Sequence, residues 1–330
     1  MADSSLHKVR LASKGKPTAN HGKNSGNPDL LNALVVASYG RHFLARDESG
    51  AIWQVYGKGK RREVAVGDEI IILPSGDMQA WVEDIKPRKN LVYRSDALKS
   101  KMFAANLDGV LLMLAISPPY STELLGRTLT ACNHAGVPLT ILFNKVDIFE
   151  GDTETLEAVE QELFEMTLNE VPIHYISVTE RPADTEQLLR PLLEGKRSLI
   201  LGQSGMGKST LINLLIPGAL AATNEISMAL NAGKHTTTHT QMHFGENGLE
   251  LIDSPGFQAF GLHHLSESDL LNAFSDIQEE GNKCRFANCQ HKREPDCAVK
   301  NGLENGTLSP ARLALYQMLK AELEEARQNY

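Results

Sequence analysis

The chain has 330 residues, of which 42% are hydrophobic and 22% charged, and its formal net charge is −8. This length predicts two or three domains, and the composition is that of a globular protein. The negative charge excludes a uniformly basic coat for nucleic acid. The charge is nevertheless uneven, because residues 1–28 carry +4, residues 29–97 are neutral and residues 98–330 carry −12. A basic end on an acidic body indicates a polyanionic partner met at that end.

Cysteine spacing and hydropathy indicate the compartment. Three of the four cysteines fall within residues 284–297, which favours a metal site in a reducing compartment over a disulfide framework. The longest apolar run, Val110–Ile116, is far shorter than the ~20 residues that span a bilayer. No apolar core of a secretory signal follows the first basic residues. We therefore expect a cytoplasmic protein that makes no membrane contact.

The first 28 residues are rich in Lys, Ser, Gly and Asn and poor in large apolar side chains. Such a segment cannot bury enough surface to fold alone, so a disordered basic arm is predicted. Two interpretations remain open: a solvated leader without a role, and an arm that orders against RNA phosphates.

Residues 29–97 contain short β-rich runs separated by turns, the first of them at Asp47–Gly50 and the second at Pro74–Asp77. Five strands in this space predict a small closed barrel, and the five-stranded OB-fold is the natural candidate. The predicted strands are 34–36, 42–44, 52–56, 70–73 and 81–85.

Basic and aromatic residues of this barrel suggest an RNA contact, although OB-folds also bind proteins. The alternative is that the aromatic residues are barrel core and the charges are solvated. The basic residues are Lys58, Lys60, Arg61 and Arg62 on one inferred loop and Lys86, Arg88 and Lys89 on another. The aromatic residues are Tyr39, Phe43, Trp53 and Tyr56.

Residues 98–265 have the pattern of an α/β domain. Continuous apolar runs at 109–116, 137–143 and 198–201 are typical of buried parallel strands. Between them, residues 154–168 have the apolar spacing of an amphipathic helix. A doubly wound sheet with helices on both sides is predicted.

Residues 266–330 are predicted to be helical. Ser266 is a candidate N-cap with Asp269 three residues later, and a final helix begins at Ser309–Pro310. One apolar stripe is expected from Leu270, Leu271, Phe274 and Ile277, and a second from Leu313, Tyr316, Leu319 and Leu323.

A glycine-rich motif follows the strand ending at Leu201 and matches the phosphate-binding pattern G-x-x-x-x-G-K-[ST]. In such a loop the backbone N–H groups surround phosphate oxygens at a helix N-terminus. Lys208 is the candidate that stabilises the β- and γ-phosphates, and the Ser209 hydroxyl is a candidate Mg²⁺ ligand. The candidate nucleotide-binding residues here are Gly202, Gln203, Ser204, Gly205, Met206, Gly207, Lys208, Ser209 and Thr210.

A second motif, Asn144-Lys145-Val146-Asp147, selects the base. The Asp147 carboxylate can accept from guanine N1–H and the 2-amino group, whereas adenine would leave it unpaired. Asn144 would hold the loop and the base edge, and the Lys145 stem would lie along the base. Ser177 and Val178 are the candidate companion base loop.

Two further segments are candidates for the γ-phosphate and Mg²⁺. Asp253-Ser254-Pro255-Gly256 has the D-x-x-G pattern of a switch that responds to the γ-phosphate. In the segment from Gly233 to Thr238 we favour Thr237 as a Mg²⁺ ligand, with its neighbouring threonines as alternatives. His235 is either structural or a catalytic group that positions water. Phe257 stands where many GTPases have a water-orienting glutamine, which predicts slow intrinsic hydrolysis.

These motifs occur in a rotated order. An ordinary GTPase runs from the phosphate loop through the switches to NKxD, whereas here NKxD at 144 precedes the phosphate loop at 202 and D-x-x-G at 253. Such a circular permutation is tolerated when the old termini lie close together. As a result, the second switch leads directly into residues 266–330.

The last cluster is Cys284-x₄-Cys289-x-His291-x₅-Cys297. Three cysteines and one histidine predict a closed, structural zinc site, with buried thiols or a redox pair as the alternatives. Basic residues around the ligands, namely Lys283, Arg285, Lys292 and Arg293, suggest a phosphate-contacting surface. Cys132 stands apart and is expected in the core.

The succession NKVD, GQSGMGKST, GKHTTT, DSPGF and C-x₄-C-x-H-x₅-C resembles the RsgA family of small-subunit-dependent GTPases over nearly the whole chain. The resemblance implies an OB-fold, a circularly permuted GTPase and a zinc domain. It also implies late maturation of the 30S ribosomal subunit, with hydrolysis stimulated by that subunit. Guanine contacts are implied for Asn144, Lys145 and Asp147, a zinc set for the four cluster residues, and a catalytic role for His235. The segment Ser177–Glu180 departs from the family pattern because it lacks the usual glycine.

We therefore expect a monomeric GTPase with one structural Zn²⁺ and with Mg²⁺ bound alongside GTP. The expected partners are the 30S subunit, its 16S rRNA and GTP or GDP. The predicted domains are an arm (1–28), an OB-fold (29–97), a permuted GTPase domain (98–265) and a helical zinc domain (266–330). One alternative is a GTP-gated RNA-binding module in which hydrolysis is only a slow timer. A second alternative is a GTP-regulated metabolic chaperone, which predicts no response to 30S.

Overall fold

A computed structural model describes residues 30–39, 42–57, 63–95, 100–168, 170–219, 240–254, 262 and 264–328. Within these residues the strands form an eleven-stranded sheet and a separate two-stranded hairpin. The strands are β1 Leu31–Ser38, β2 Phe43–Asp47, β3 Ile52–Tyr56, β4 Glu69–Gly76, β5 Gln79–Ile85, β6 Leu91–Ser95, β7 Ser100–Ala105, β8 Gly109–Ala115, β9 Leu139–Asn144, β10 Ile173–Ile176, β11 Arg197–Leu201, β12 Thr240–Phe244 and β13 Glu250–Asp253. The helices are α1 Thr122–Ala135, α2 Thr153–Thr167, α3 Pro182–Leu193, α4 Lys208–Leu215, α5 Glu267–Asn272, α6 Ser275–Gly281, α7 Ala298–Glu304 and α8 Pro310–Gln328.

Strands β1–β5 close into the predicted OB-fold barrel. β1 pairs antiparallel with both β2 and β4, and the barrel closes through the parallel pair β3–β5. Alternate apolar residues fill the interior, among them Val35, Val55 and Ile72, which are fully buried. The Asp47 carboxylate accepts from the N–H groups of Ser49 and Ala51, which fixes the first predicted turn. The second turn lies at 77–78 rather than 74–77, because β4 continues to Gly76.

The hairpin β6–β7 was not predicted, and it joins the barrel to the next domain. Gly67 is the junction, since its carbonyl accepts from Asn106 Nδ2 at 2.9 Å and Arg197 Nη1 at 3.0 Å. A Cβ on Gly67 would lie 2.2 Å from the carbonyl oxygen of Ala105, and its φ is +94°. Only glycine fits where barrel, hairpin and β11 meet this closely.

The second part of the large sheet runs in the order β10-β9-β8-β11-β13-β12. Its strands are parallel except β12, which is antiparallel to β13. Residues of β8 alternate between the two faces of the sheet: Leu112 packs with α1 and α2, and Met113 packs with α3 and α4. Helices therefore cover both faces, as predicted for a doubly wound fold.

The barrel and this α/β part share hydrogen bonds through the end of β1 and the edge strand β12. β1 pairs antiparallel with β12, with Ala37 opposite Gln241 and Ser38 opposite Thr240. The pairing makes one continuous sheet of the two parts.

The C-terminal residues pack their helices against α1 and α2. Ser266 caps α5 through a full capping box with Asp269, as its position predicted. The predicted single stripe from Leu270 to Ile277 is wrong in one respect, since the chain turns between α5 and α6. Leu270, Phe274 and Ile277 are still buried, because each short helix directs one apolar side to the same core.

A buried arginine, Arg312, connects the C-terminal helices to α2. Arg312 of α8 is 2% exposed, and its Nε donates to Asp276 Oδ1 at 2.8 Å. Its Nη1 donates to the Met166 carbonyl at the end of α2, and its guanidinium lies 4.8 Å from the centre of the Phe274 ring. One side chain thus joins α2, α6 and α8.

Some predicted features lie outside the described residues: the arm 1–28, the basic loop 58–62, His235, the threonines 236–238, and Pro255, Gly256 and Phe257. Across the part of the chain that is described, no helix combines the length and apolar character needed to cross a membrane.

We predict that Arg312→Met lowers the free energy of unfolding by about 3 kcal/mol, because it leaves Asp276 and the carbonyl groups of Met166 and Ala273 without their cation. Arg190→Met is the matched control, since Arg190 pairs with Glu186 one turn away on a partly exposed helix face. The control should cost no more than about 0.5 kcal/mol. Urea unfolding measures both, and equal losses would contradict the structural role of Arg312.

Candidate functional site

The phosphate-loop candidate connects the end of β11 to the start of α4, and three glycines give it its path. Gly202, Gly205 and Gly207 have φ values of +143°, +83° and +103°. A Cβ on Gly202 would lie 2.5 Å from the Met113 carbonyl oxygen, and one on Gly207 would lie 2.4 Å from Asn144 Nδ2. These positions therefore need glycine both for backbone conformation and for space.

Lys208, the first residue of α4, and Asp253, the last residue of β13, interact electrostatically. The Lys208 ammonium is buried and donates to the carbonyls of Gly202 at 2.6 Å and Gln203 at 2.8 Å. Burial lowers the pKa of Lys208, and the Asp253 charge opposes that shift. Burial raises the pKa of Asp253 to about 6, against the effects of Lys208 and of the Ser254 N–H. A cation and a carboxylate so placed suit a phosphate chain and a divalent cation respectively.

The remaining loop residues divide by exposure. Ser204 at the tip and Ser209 and Thr210 in the first turn of α4 are exposed, whereas Met206 is fully buried. Because the first N–H groups of α4 have no partner within the helix, this end favours an anion.

Asn144 at the end of β9 connects the phosphate loop with the base loop. Its side chain is buried, and Nδ2 donates to the Met206 carbonyl at 2.9 Å. Its Oδ1 accepts from the Val178 N–H at 3.1 Å. The predicted loop-holding role of Asn144 therefore extends to two other loops.

The rest of the NKxD motif follows Asn144 in a short 3₁₀ turn, in which Val146 is partly buried. Asp147 accepts a short hydrogen bond from the Ser177 hydroxyl, which in turn accepts from the Glu180 N–H at 3.3 Å. Lys145 has a left-handed φ of +67°, and its ammonium donates to the Ser117 carbonyl at 2.6 Å. The NKxD turn and the base loop thus lie side by side.

The structure brings together the candidate residues of four segments at the carboxyl ends of neighbouring parallel strands: Asn144–Asp147, Ser177, Gly202–Thr210 and Asp253. That edge is where doubly wound sheets bind ligands. The sequence reasoning missed the loop 116–121, which contacts both Lys145 and Gln203. Its position directly after β8 was an available signal, since each loop at this edge can reach the site.

A second site lies between α6 and α7. The ligand atoms of Cys284, Cys289, His291 and Cys297 all lie within 4.8 Å of one another. The His291 Nδ1 is 3.6 Å from Cys284 Sγ and 3.5 Å from Cys297 Sγ, and these two sulfurs are 3.9 Å apart. In a tetrahedral thiolate–imidazole site the ligand atoms are separated by roughly 3.5–3.8 Å. The four residues therefore fit one four-coordinate metal ion.

The basic residues around this cluster differ in availability. Lys283 pairs with Glu280 and Arg285 pairs with Asp296. Lys292 and Arg293 are exposed, and neither side chain makes an ion pair with another described residue.

The second basic loop of the barrel is largely used within the protein. Arg88 makes a two-pronged pair with the buried carboxylate of Asp68, at 2.7 and 2.8 Å. Lys89 pairs with Asp108, and Lys86 lies 3.6 Å from Glu69. Arg88 thus binds a buried group of the barrel, Lys89 links the loop to the start of the α/β part, and Lys86 makes only an exposed pair within the barrel.

Four rings lie in succession on the barrel, and we call Tyr39, His42, Tyr56 and Trp81 the ring strip. Tyr39 and His42 stack with centroids 5.5 Å apart, and Tyr56 lies 6.1 Å from His42 and 5.5 Å from Trp81. All four are partly exposed. Of the other predicted aromatic faces, Phe43 belongs to the core.

The fold and the site define a circularly permuted P-loop GTPase with an OB-fold barrel and a Cys₃His cluster. A family model described as RsgA GTPase matches residues 85–263. The small ribosomal subunit biogenesis GTPase RsgA of Ralstonia pickettii is 42% identical over 95% of this chain and 99% of its own. That of Paraburkholderia xenovorans is 45% identical over 88% of this chain and 92% of its own. The chain belongs to the RsgA GTPase family.

Solved structures agree on the architecture. YjeQ from Thermotoga maritima is 27% identical, with a TM-score of 0.65 over 89% of this chain and 98% of its own. YloQ, a circularly permuted GTPase, is 24% identical and shares the fold, with a TM-score of 0.62 over 92% of this chain and 98% of its own.

We predict that Gly207→Ala weakens binding of a fluorescent GDP analogue by about tenfold or more, because the new methyl displaces the Asn144 amide from Met206. Gly218→Ala is the matched control, since Gly218 has a φ of +83° but nothing within 4 Å of an added Cβ. Both variants acquire backbone strain, and only the first should lose affinity. Equal affinities in the two variants would contradict the proposed spatial constraint.

Proposed function

We propose that this protein hydrolyses GTP to GDP and phosphate in late maturation of the 30S ribosomal subunit, with stimulation by that subunit. The observation that carries the proposal is the convergence of a phosphate loop, a guanine-selecting motif and a partly buried Asp253 at one sheet edge. The names of the relatives, small ribosomal subunit biogenesis GTPases, supply the process.

In this proposal the base and the phosphates are held by different loops. Asp147 accepts from guanine N1–H and its 2-amino group, with its orientation fixed by Ser177. Lys145 lies along the base, and Asn144 holds the loops in register. The N–H groups of residues 202–210 surround the phosphates.

Hydrolysis breaks the bond between the γ-phosphorus and the bridging oxygen, with water as the nucleophile. Lys208 leaves its carbonyl partners and stabilises negative charge on the β- and γ-phosphate oxygens. Ser209, Thr237 and Asp253 are the proposed Mg²⁺ ligands, and the ion would supply further charge stabilisation. His235 is the proposed water-positioning group. The Phe257 side chain can neither donate nor accept, so intrinsic turnover is slow.

The proposed RNA contacts use surfaces at both ends of the chain. The ring strip offers stacking faces of the kind that OB-folds use for single-stranded bases. Lys292 and Arg293 beside the metal cluster offer phosphate contacts, and residues 1–28 carry further cations. The partner within the 30S subunit is then its 16S rRNA. We also propose that the protein is a cytoplasmic monomer with the domain limits given above.

The proposed metal at the Cys₃His cluster is one structural Zn²⁺, because three thiolates and one imidazole leave no open position. It would tie α6, the loop 282–297 and α7 together. The backbone N–H groups of Ala298 and Val299 point to Cys284 Sγ and support its thiolate form.

A GTPase assay with 30S subunits, and with 50S subunits as the control, tests the function. We expect 30S to raise turnover on the order of 10²-fold or more, as an activating partner does, and 50S to leave it unchanged. Lys208→Ala should abolish turnover in both conditions. Fast turnover without subunits, or none with 30S, would refute the proposal. A rate that ignores 30S while GTP gates RNA binding would favour the slow-timer alternative.

Metal analysis tests the zinc assignment. The purified wild-type protein should contain about one zinc per chain, and Cys297→Ala should lose it and melt at a lower temperature. Cys132→Ala is the matched control, because Cys132 is a buried core thiol remote in sequence from the cluster. Zinc loss in the control, or a metal-free wild type, would contradict the assignment.

A further inference from the structure

The loop 116–121 between β8 and α1 contacts the candidate nucleotide site in three places. The Ser117 carbonyl accepts from Lys145 Nζ at 2.6 Å. Pro118 packs on the phosphate loop, since a Cβ on Gly205 would lie 3.3 Å from its ring. The Ser121 N–H donates to the Gln203 amide oxygen at 2.9 Å. One segment thus fixes both the NKxD turn and the phosphate loop.

Gln203 makes two separate contacts, one through its main chain and one through its side chain. Its main-chain carbonyl accepts from Lys208 at 2.8 Å, so its backbone belongs to the phosphate loop. Its side chain is partly buried and turned to Ser121, whose own hydroxyl caps α1 by accepting from the Leu124 N–H. Because the amide oxygen is held by another loop, the side chain serves as a tether.

The tether ends on a rigid support. Helix α1 packs closely on α8, and a Cβ on Gly126 would lie 2.7 Å from Leu315 and 2.8 Å from Leu319. Arg127 Nε donates to Glu322 at 2.9 Å across the same contact. The N-terminus of α1 is therefore anchored to the C-terminal helix, and through Gln203 so is the phosphate loop.

We propose that Gln203 is a positioning residue that holds the phosphate loop in its nucleotide-binding conformation through the Ser121 N–H. The inference rests on the proposed function and assigns to Gln203 a role beyond its backbone. A tether of this kind stabilises bound GTP and bound GDP equally. Its loss therefore raises KM and leaves kcat nearly unchanged.

The test is a double-mutant cycle on the full chain with Gln203→Leu and Ser121→Pro. Gln203→Leu removes the amide oxygen that accepts from Ser121 and keeps a side chain of similar size. Ser121→Pro removes the N–H at an N-cap whose φ of −92° is near that of proline. Each should raise the Kd for a fluorescent GDP analogue and the KM for GTP about fivefold, with kcat within about twofold. The double variant should be no worse than either alone.

Ser121→Ala is the matched control, because it keeps the N–H and removes only the hydroxyl that caps α1. It should lower the melting temperature and leave Kd near the wild-type value. Gln203→Leu should instead raise Kd and leave the melting temperature near the wild-type value. This comparison decides the matter even if Ser121→Pro fails to fold. An unchanged Kd in Gln203→Leu, or multiplying effects in the double variant, would overturn the inference. Wild-type protein that binds no guanine nucleotide would instead overturn the proposed function.

Discussion

The nucleotide site depends on one buried amide. Asn144 is 3% exposed, and its two polar ends hold the backbone of two loops that come from distant parts of the chain. A buried amide without partners is costly, so the loops must keep this spacing for the fold to be stable. The bond to Met206 in turn requires that residue 207 has no Cβ. The absence of a side chain at Gly207 and the hydrogen bond from Asn144 to Met206 therefore depend on each other.

The rotated order of motifs changes what is attached to the GTPase edge without changing that edge. The parallel strands β8, β9, β11 and β13 bring the loops together as an unpermuted chain would, because strand pairing is independent of where the termini fall. Permutation instead decides the neighbours of the two proposed switch segments. Strand β12 comes after the threonine segment and pairs with the barrel, and Asp253 is followed by the helices that carry the metal cluster. Each proposed switch segment is thus connected to a different flanking part.

The described basic side chains divide into those paired within the protein and those left unpaired at its surface. Several cations that looked available for RNA are paired with carboxylates of the protein, and Arg88 binds a carboxylate, Asp68, that is fully buried. Arg312 has an equivalent place in the C-terminal part. Of the four cations predicted around the metal cluster, Lys292 and Arg293 are the two that make no ion pair with another described residue. The list of basic residues on the second barrel loop therefore overstated the positive charge that this loop leaves unpaired.

The elements and chemistry of this protein follow largely from local sequence. Barrel strands, the buried strands of the α/β part and the Ser266 cap each depend on residues within one turn or strand, so pattern alone predicted them. The hairpin β6–β7 was not predicted, and Ala104 and Ala105 of its second strand pair with Val66, which is remote in the chain. Only the tertiary structure decided the Asn144 bridges, the Gln203 tether, the ring strip and the β1–β12 junction. Each of these joins groups that are remote in the chain, and such pairings depend on packing that no local pattern specifies.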